Sequence, residues 1–269
     1  MTSEPPSSRV LSAFGASGQP LPLHGGQGTS WRSGDLVLKP LDRAQEELAW
    51  QAELFDSLAC DGFRVARSVR AADSSLVVEG WCAYQALEVR HEKGRWTDIV
   101  AAGERFHAAL AGTPRPAFLY RRSDPWAIGD RVAWGELPAG EYVHVKHLTR
   151  LCAALRPVQA RSQLIHGDLT GNVLFAAVLP PAVIDFAPYW RPPMFASAIV
   201  VADALVWEGA DKALVDAIAD EDDFPQYLLR ALVYRVVTDR LFRLDEPPRP
   251  DAADPYLPAV ETACRLAAG

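Results

Sequence analysis

Residues 164–186 read LIHGDLTGNVLFAAVLPPAVIDF. Leu164 and Ile165 form a short apolar lead, which breaks into a polar loop that begins at His166. The run VLFAA then reads as one strand and AVI as the next, with Pro180 and Pro181 marking the turn between them. In such a hairpin the loop before the first strand and the residue after the second converge. The groups that meet there are Asp168, Asn172 and Asp185, all hard-oxygen donors. Phosphoryl transfer from a magnesium nucleotide needs such a set: one carboxylate for the accepting hydroxyl, and an amide oxygen and a second carboxylate for the metal.

This HGD…N…IDF pattern resembles the aminoglycoside phosphotransferase family of small-molecule kinases, relatives of the eukaryotic-like protein kinases. The resemblance implies an α+β, two-lobed protein-kinase-like fold, with a small antiparallel-sheet N-lobe and a mainly helical C-lobe. It also implies transfer of a phosphoryl group from ATP, with Mg2+, to a hydroxyl-bearing small molecule. Asp168 would be the catalytic-loop base, Asn172 and Asp185 the magnesium ligands, and His166 a brace of the loop. One departure stands out. The family places four residues between the catalytic Asp and the Asn, whereas only Leu169, Thr170 and Gly171 intervene here. Gly171 lets a shortened loop turn tightly. The shortening also motivates an alternative, a nucleotide-binding pseudokinase with a sensing or scaffold role.

Upstream, residues 23–40 read LHGGQGTSWRSGDLVLKP. Gly25, Gly26 and Gly28 make a turn whose backbone N–H groups can approach phosphates, and Thr29 and Ser30 follow directly. Two strands follow, around Trp31 and at residues 36–39, joined by a Ser33-Gly34-Asp35 turn. Lys39 is one of only four lysines in the chain and ends the apolar run LVLK. In the kinase-like fold a lysine at that place contacts nucleotide phosphates, and a helix Glu pairs with it. A helix-compatible run over residues 43–58 offers Glu46, Glu47 and Glu53, of which Glu47 fits the family spacing best. Residues 64–69 and 76–79 read as further strands, with a hinge at 79–83. Trp81 there either covers the adenine or fills core.

The remainder reads as helical around the hairpin. Apolar residues recur at helical spacing over 97–110, where His107 is a packed residue, and over 145–155, 196–207 and 227–244. Residues 114–138 read as one long connection. Trp190 and Arg191, after the hairpin, either line an acceptor pocket or pin their segment to the lobe. Asp203 sits alone in an apolar helix and needs partners; the resemblance makes it a brace. The acids Asp216, Asp220, Glu221, Asp222 and Asp223 form either a solvated face or, as in aminoglycoside-modifying members, a site for a cationic sugar.

Composition fits this frame. The 269 residues are 49% hydrophobic and can bury a sizeable core. A net charge of −7 argues against nucleic-acid binding. No apolar run reaches transmembrane length, so no membrane partner is expected. Residues 1–9 lack the pattern of a signal peptide and read as disordered. Cys60, Cys82, Cys152 and Cys264 are scattered, which suits reduced thiols in a cytoplasm rather than a zinc site or disulfide framework. The expected organisation is an N-lobe over 10–80 and a C-lobe over 81–269, in a monomer or weak homodimer.

Overall fold

A computed structural model describes residues 4–23, 28–142, 144–219, 223–243 and 254–268. The chain divides into two compact units, residues 1–91 with 171–185, and residues 92–170 with 186–269. The first is the sheet unit and the second the helical unit, so the mixed α/β expectation holds.

The sheet unit is built on five antiparallel strands in the order Leu21–Pro22, Trp31–Ser33, Leu36–Pro40, Trp81–Gln85, Ser68–Val69. Trp31 pairs with Leu38, and Lys39 pairs with Cys82. A smaller sheet sets Ala182–Val183 between Arg64–Val65, which runs parallel to it, and Val173–Leu174, which runs antiparallel. The helix Gln45–Ser57 buries Leu48, Gln51, Ala52 and Phe55 on one face, the i, i+3, i+4, i+7 spacing of an amphipathic element.

Three expectations fail in this unit. The hinge at 79–83 is instead a turn and a strand: Glu79 and Gly80 both take positive φ in a tight reversal between Val78 and Trp81. Trp81–Gln85 then pairs on both edges. A lobe boundary at 80/81 is therefore displaced to 91/92, and the unit regains the chain at 171–185. Residues 64–69 are not one strand, because their two halves join different sheets.

The N-terminal segment is also not wholly disordered. Residues 1–3 lie outside the described residues, but Ser8–Ala13 is a helix whose first turn is capped by the Ser7 side chain. Val10 and Phe14, one turn apart, are 0% and 5% exposed and pack with Leu38, Ala71 and Ala83 on the sheet. Burial of these two residues, invisible as a pattern in so short a helix, is what orders the segment.

In the helical unit the helices Pro193–Trp207 and Phe224–Phe242 pack together at the core. The first is apolar almost all round and buried over nearly its whole length, as a central helix must be. A two-stranded antiparallel sheet pairs Gln163–His166 with Pro188–Arg191, matching Pro188 to His166. The long connection expected at 114–138 contains a 3-10 turn, Ala117–Tyr120, and the helix Pro125–Ala133. Asp124 caps that helix and Pro125 occupies its first turn, a start signal that proline content had masked. No helix among the described residues is long and apolar enough to cross a membrane, and all four cysteines are free.

Val10→Ala removes two buried methyl groups from the seam between the N-terminal helix and the sheet. It should lower the unfolding free energy by about 2 kcal/mol in urea titration. A change below about 0.5 kcal/mol would mean that the segment is not docked.

Candidate active site

The stretch 164–186 divides between the two units, because the chain leaves the helical unit after Thr170 and returns to it at Phe186. Each half is organised within its own unit.

In the sheet unit, Val173 pairs with Val183, and the Ile184 N–H donates to the Asn172 carbonyl at 2.9 Å. This register brings Asn172 and Asp185 to the same end of the hairpin, as the sequence implied. Gly171, at φ +78°, takes the tight turn ahead of Asn172 with open space where a Cβ would lie, so its backbone conformation and not crowding selects glycine there. Asp185 itself has φ +46°, a left-handed conformation that Asp tolerates better than most residues. Its Oδ1 lies 2.5 Å from the Lys39 ammonium, and Asp42 Oδ2 lies 3.6 Å from the same group. Burial pulls the Asp42 carboxyl upward, but Arg43 and Lys39 outweigh it and hold Asp42 below its usual range.

Among the described residues Lys39 pairs with Asp42 and Asp185. Glu47 lies 3.9 Å from Arg43, one helical turn away, and Arg43 also engages Asp42 and Gln51. Trp81 packs against the Val10–Phe14 cluster, which makes it core rather than an adenine cover. Gly28, at φ +69°, Thr29 and Ser30 belong to the loop that joins the first two strands, closed where the Leu23 N–H donates to the Ser30 carbonyl. Gly25 and Gly26 lie outside the described residues.

In the helical unit the His-Gly-Asp loop hangs on two histidines. The His166 N–H donates to His107 Nε2 at 3.0 Å, and the Asp168 N–H donates to His166 Nδ1 at 3.1 Å. Both ring nitrogens therefore act as acceptors, so both imidazoles are neutral. Burial, with His166 adding to it, pushes the His107 pKa down to about 3. Phe186 meets both His166 and Phe106 edge-on, which fixes the ring of His166. A Cβ on Gly167 would fall 2.3 Å from the Tyr189 ring, so only glycine lets that ring close over the loop.

Asp168 leaves this loop with its side chain 41% exposed, and Arg235 Nη2 donates to its Oδ1 at 3.0 Å. The same guanidinium donates from Nε and Nη2 to the two oxygens of Asp203, at 2.7 and 2.6 Å. Burial opposes charge on Arg235, but Asp203, Tyr234 and Asp168 outweigh it and keep the guanidinium protonated. Asp203 is thus a brace, as expected, but it acts through Arg235, which sequence reasoning missed. The available signal was an arginine inside the apolar run ALVYRVV.

Arg191 pins its segment, and both Trp190 and Arg191 also line a pocket of the helical unit. Arg191 pairs with Asp130 through Nε and Nη2 and with Glu136 through Nη1, pinning its segment to Pro125–Ala133. Of the acid cluster, Asp216 pairs with Lys212, and Asp220, Glu221 and Asp222 lie outside the described residues. Among the described residues no group of three or more His, Cys, Asp or Glu could hold a metal.

Sheet unit, helical unit and paired-acid hairpin together define a kinase-like small-molecule phosphotransferase. The phosphotransferase enzyme family, APH, matches residues 27–227, and the chain belongs to it. Among solved structures it is similar to a thermostable mutant of aminoglycoside phosphotransferase APH(4)-Ia, at 14% identity and TM-score 0.58, covering 96% of this chain and 97% of that one. It is similar to the amicoumacin kinase hAmiN in complex with AMP-PNP, Ca2+ and Ami, at 14% identity and TM-score 0.59, over 93% and 88% of the two chains. It is also similar to the choline kinase LicA from Streptococcus pneumoniae, at 11% identity and TM-score 0.56, over 96% of each chain. No curated relative matches by sequence.

Two measurements probe the bracing. Arg235→Met leaves the buried Asp203 carboxylate uncompensated and should cost about 3–5 kcal/mol of stability in urea titration; a loss below 1 kcal/mol would remove Arg235 from the scaffold. His107, held neutral when folded, binds a proton in the unfolded chain below its ordinary pKa of 6.5. Its stabilising contribution is therefore complete above that pH and declines as pH falls toward about 3. The slope is about 1.4 kcal/mol per pH unit, and His107→Leu should lack that component. Parallel pH profiles of the two proteins would exclude it.

Proposed function

We propose that this chain transfers the γ-phosphate of magnesium-ATP to a hydroxyl of a small molecule. The observation that carries this reading is the pairing of Lys39 with Asp185 across 146 residues of chain. A strand-end cation and a hairpin carboxylate are there held together at an exposed position, although an ion pair so exposed adds little to stability, about 0–1 kcal/mol. Its value lies in chemistry. Lys39 would bind nucleotide phosphate, with the backbone of Gly26, Gly28, Thr29 and Ser30 bordering the phosphates. Asn172 and Asp185 would hold the magnesium, which when bound neutralises charge on the phosphate oxygens.

Asp168 would orient the accepting hydroxyl and take up its proton as the new P–O bond forms. Its contact with Arg235 fixes where the carboxylate lies, which suits a residue that positions the hydroxyl and accepts the proton late, when the transferring group already pulls on the oxygen. Because the same guanidinium is fixed by Asp203, the Asp168 carboxylate is oriented before substrate arrives. His166 holds the loop through its neutral ring and exchanges no proton. Within the sheet unit Gly171 takes the tight turn of the shortened loop, and the Asn172 carbonyl accepts from the Ile184 N–H.

ADP release and magnesium-ATP calorimetry test the reading together. Asp168→Asn should lower turnover about 10²–10⁴-fold with nucleotide affinity nearly unchanged; more than a third of wild-type turnover would remove Asp168 from its role. Asp185→Ala should abolish magnesium-dependent ATP binding in a protein that still folds. Unchanged affinity would exclude Asp185 as the ligand, and ATP binding without turnover on any acceptor would favour a pseudokinase.

A further inference from the structure

A pocket in the helical unit lies beside the strand that follows the hairpin. Arg115, Arg122, Arg131 and Arg191 line it, together with Asp130, Glu136 and Tyr189. Four guanidinium groups around one hollow are unexpected in a chain of net charge −7. Two of them are already committed. Arg122 gives Nε and Nη2 to Asp124 and Nη1 to the Pro188 carbonyl, and Arg191 is shared between Asp130 and Glu136. Burial raises the Glu136 carboxyl, but Arg191, with Arg115 and Arg131, holds it below its usual range, so it is ionised.

The other two arginines are not committed to any acid. Arg131 donates from Nη2 to the Tyr120 carbonyl at 3.2 Å and, among the described residues, makes no ion pair within 4 Å. Arg115 lies over the Tyr120 ring at 3.9 Å, and its buried Nε has no hydrogen-bond partner. A buried donor left unpaired is unfavourable, and an incoming acceptor recovers that loss. With Arg191 divided between two acids, one negative charge remains against the two free guanidiniums. The balance at the pocket is a single positive charge.

Tyr189 connects this pocket to the catalytic loop. Its ring lines the hollow and its Cδ2 edge packs on Gly167, the residue before Asp168. A small molecule anchored here sits one aromatic ring from that loop. We propose that the pocket binds the carboxylate of the acceptor, so that the hydroxyl compound phosphorylated is a hydroxycarboxylic acid. The inference rests on the phosphotransferase reading for the word acceptor, and on the pocket alone for the word carboxylate. Guanidinium matches a carboxylate through two parallel N–H donors, and a singly charged group fits the charge balance. The same arginines would repel a polycationic sugar.

The test has a binding arm and a turnover arm. Calorimetry on the full chain, without nucleotide, uses glycerate, its amide glyceramide and inorganic phosphate as probes. Glycerate should bind, glyceramide should not, and Arg131→Ala or Arg115→Ala should weaken glycerate about tenfold to a hundredfold. Arg131→Lys should recover part of the loss. Equal binding of acid and amide, tighter binding of phosphate than of glycerate, or no effect of either alanine variant overturns the proposal. In the turnover arm, a panel of hydroxy acids and their amides is offered with magnesium-ATP, and Arg131→Ala should raise KM for the acids while leaving kcat nearly unchanged. Faster turnover of amides or amines, indifferent to Arg131, also overturns it. Failure of the kinase reading shows separately, as absent magnesium-ATP binding, and the calorimetric arm then still decides whether the pocket selects carboxylates.

Discussion

A guanidinium withdrawn from water must be matched by carboxylates, and Arg235 imposes that constraint on the helical unit. It is 5% exposed on the helix Phe224–Phe242, and it donates hydrogen bonds to the carboxylates of Asp203 and Asp168. Asp203 is 3% exposed on the packed helix Pro193–Trp207, so the pair ties the two central helices together where both are otherwise apolar. Removing either charge strands the other, and the penalty for a stranded buried charge exceeds what the pair contributes when intact. The arrangement therefore specifies which helix faces meet more than it adds net stability. Asp168 enters this network from the surface, which makes the position of the loop carboxylate a consequence of core packing.

Around that fixed point the loop is held by groups that carry no charge. His107 and His166 relay one hydrogen bond each toward the Asp168 backbone, and burial keeps the His107 ring neutral. Gly167 admits the Tyr189 ring, and that ring in turn borders the arginine-lined pocket. Rigid aromatic and imidazole rings thus connect the loop to the surface that would receive an acceptor. On the sheet side the logic is different: Lys39, Asp42 and Asp185 are partly exposed, and their charges remain available to a ligand.

Much of this was legible along the chain. HGD followed by Asn and Ile-Asp-Phe marked a hairpin with three oxygen donors, and the ladder from Val173 to Val183 confirms why: period-two strands flanking a proline turn leave little freedom of register. Lys39 was marked by its rarity and its strand end. Arg191 and Asp203, each left with two readings or an unnamed partner, proved to be ion-pair members because a charge in an apolar setting requires one. The errors fell where local pattern competes with tertiary pairing. The Ser8–Ala13 helix is too short to show periodicity, and the strand Trp81–Gln85 was taken for a hinge because its neighbours interrupt the β pattern.

The sequence by itself determined the hairpin, the donor set, the apolar central helices and the membership of a kinase-like class, since each depends on residues close together in the chain. Only the tertiary structure decided which charges meet. Lys39 meets Asp185, Arg235 reaches back 67 residues to Asp168, and Arg115 and Arg131 make no ion pair within 4 Å among the described residues. Several arginines and acids could satisfy one another by composition alone, and periodicity does not rank them. Distance does, because an ion pair gains its energy within a few ångströms, and separation in space is fixed only once the helices and strands have packed.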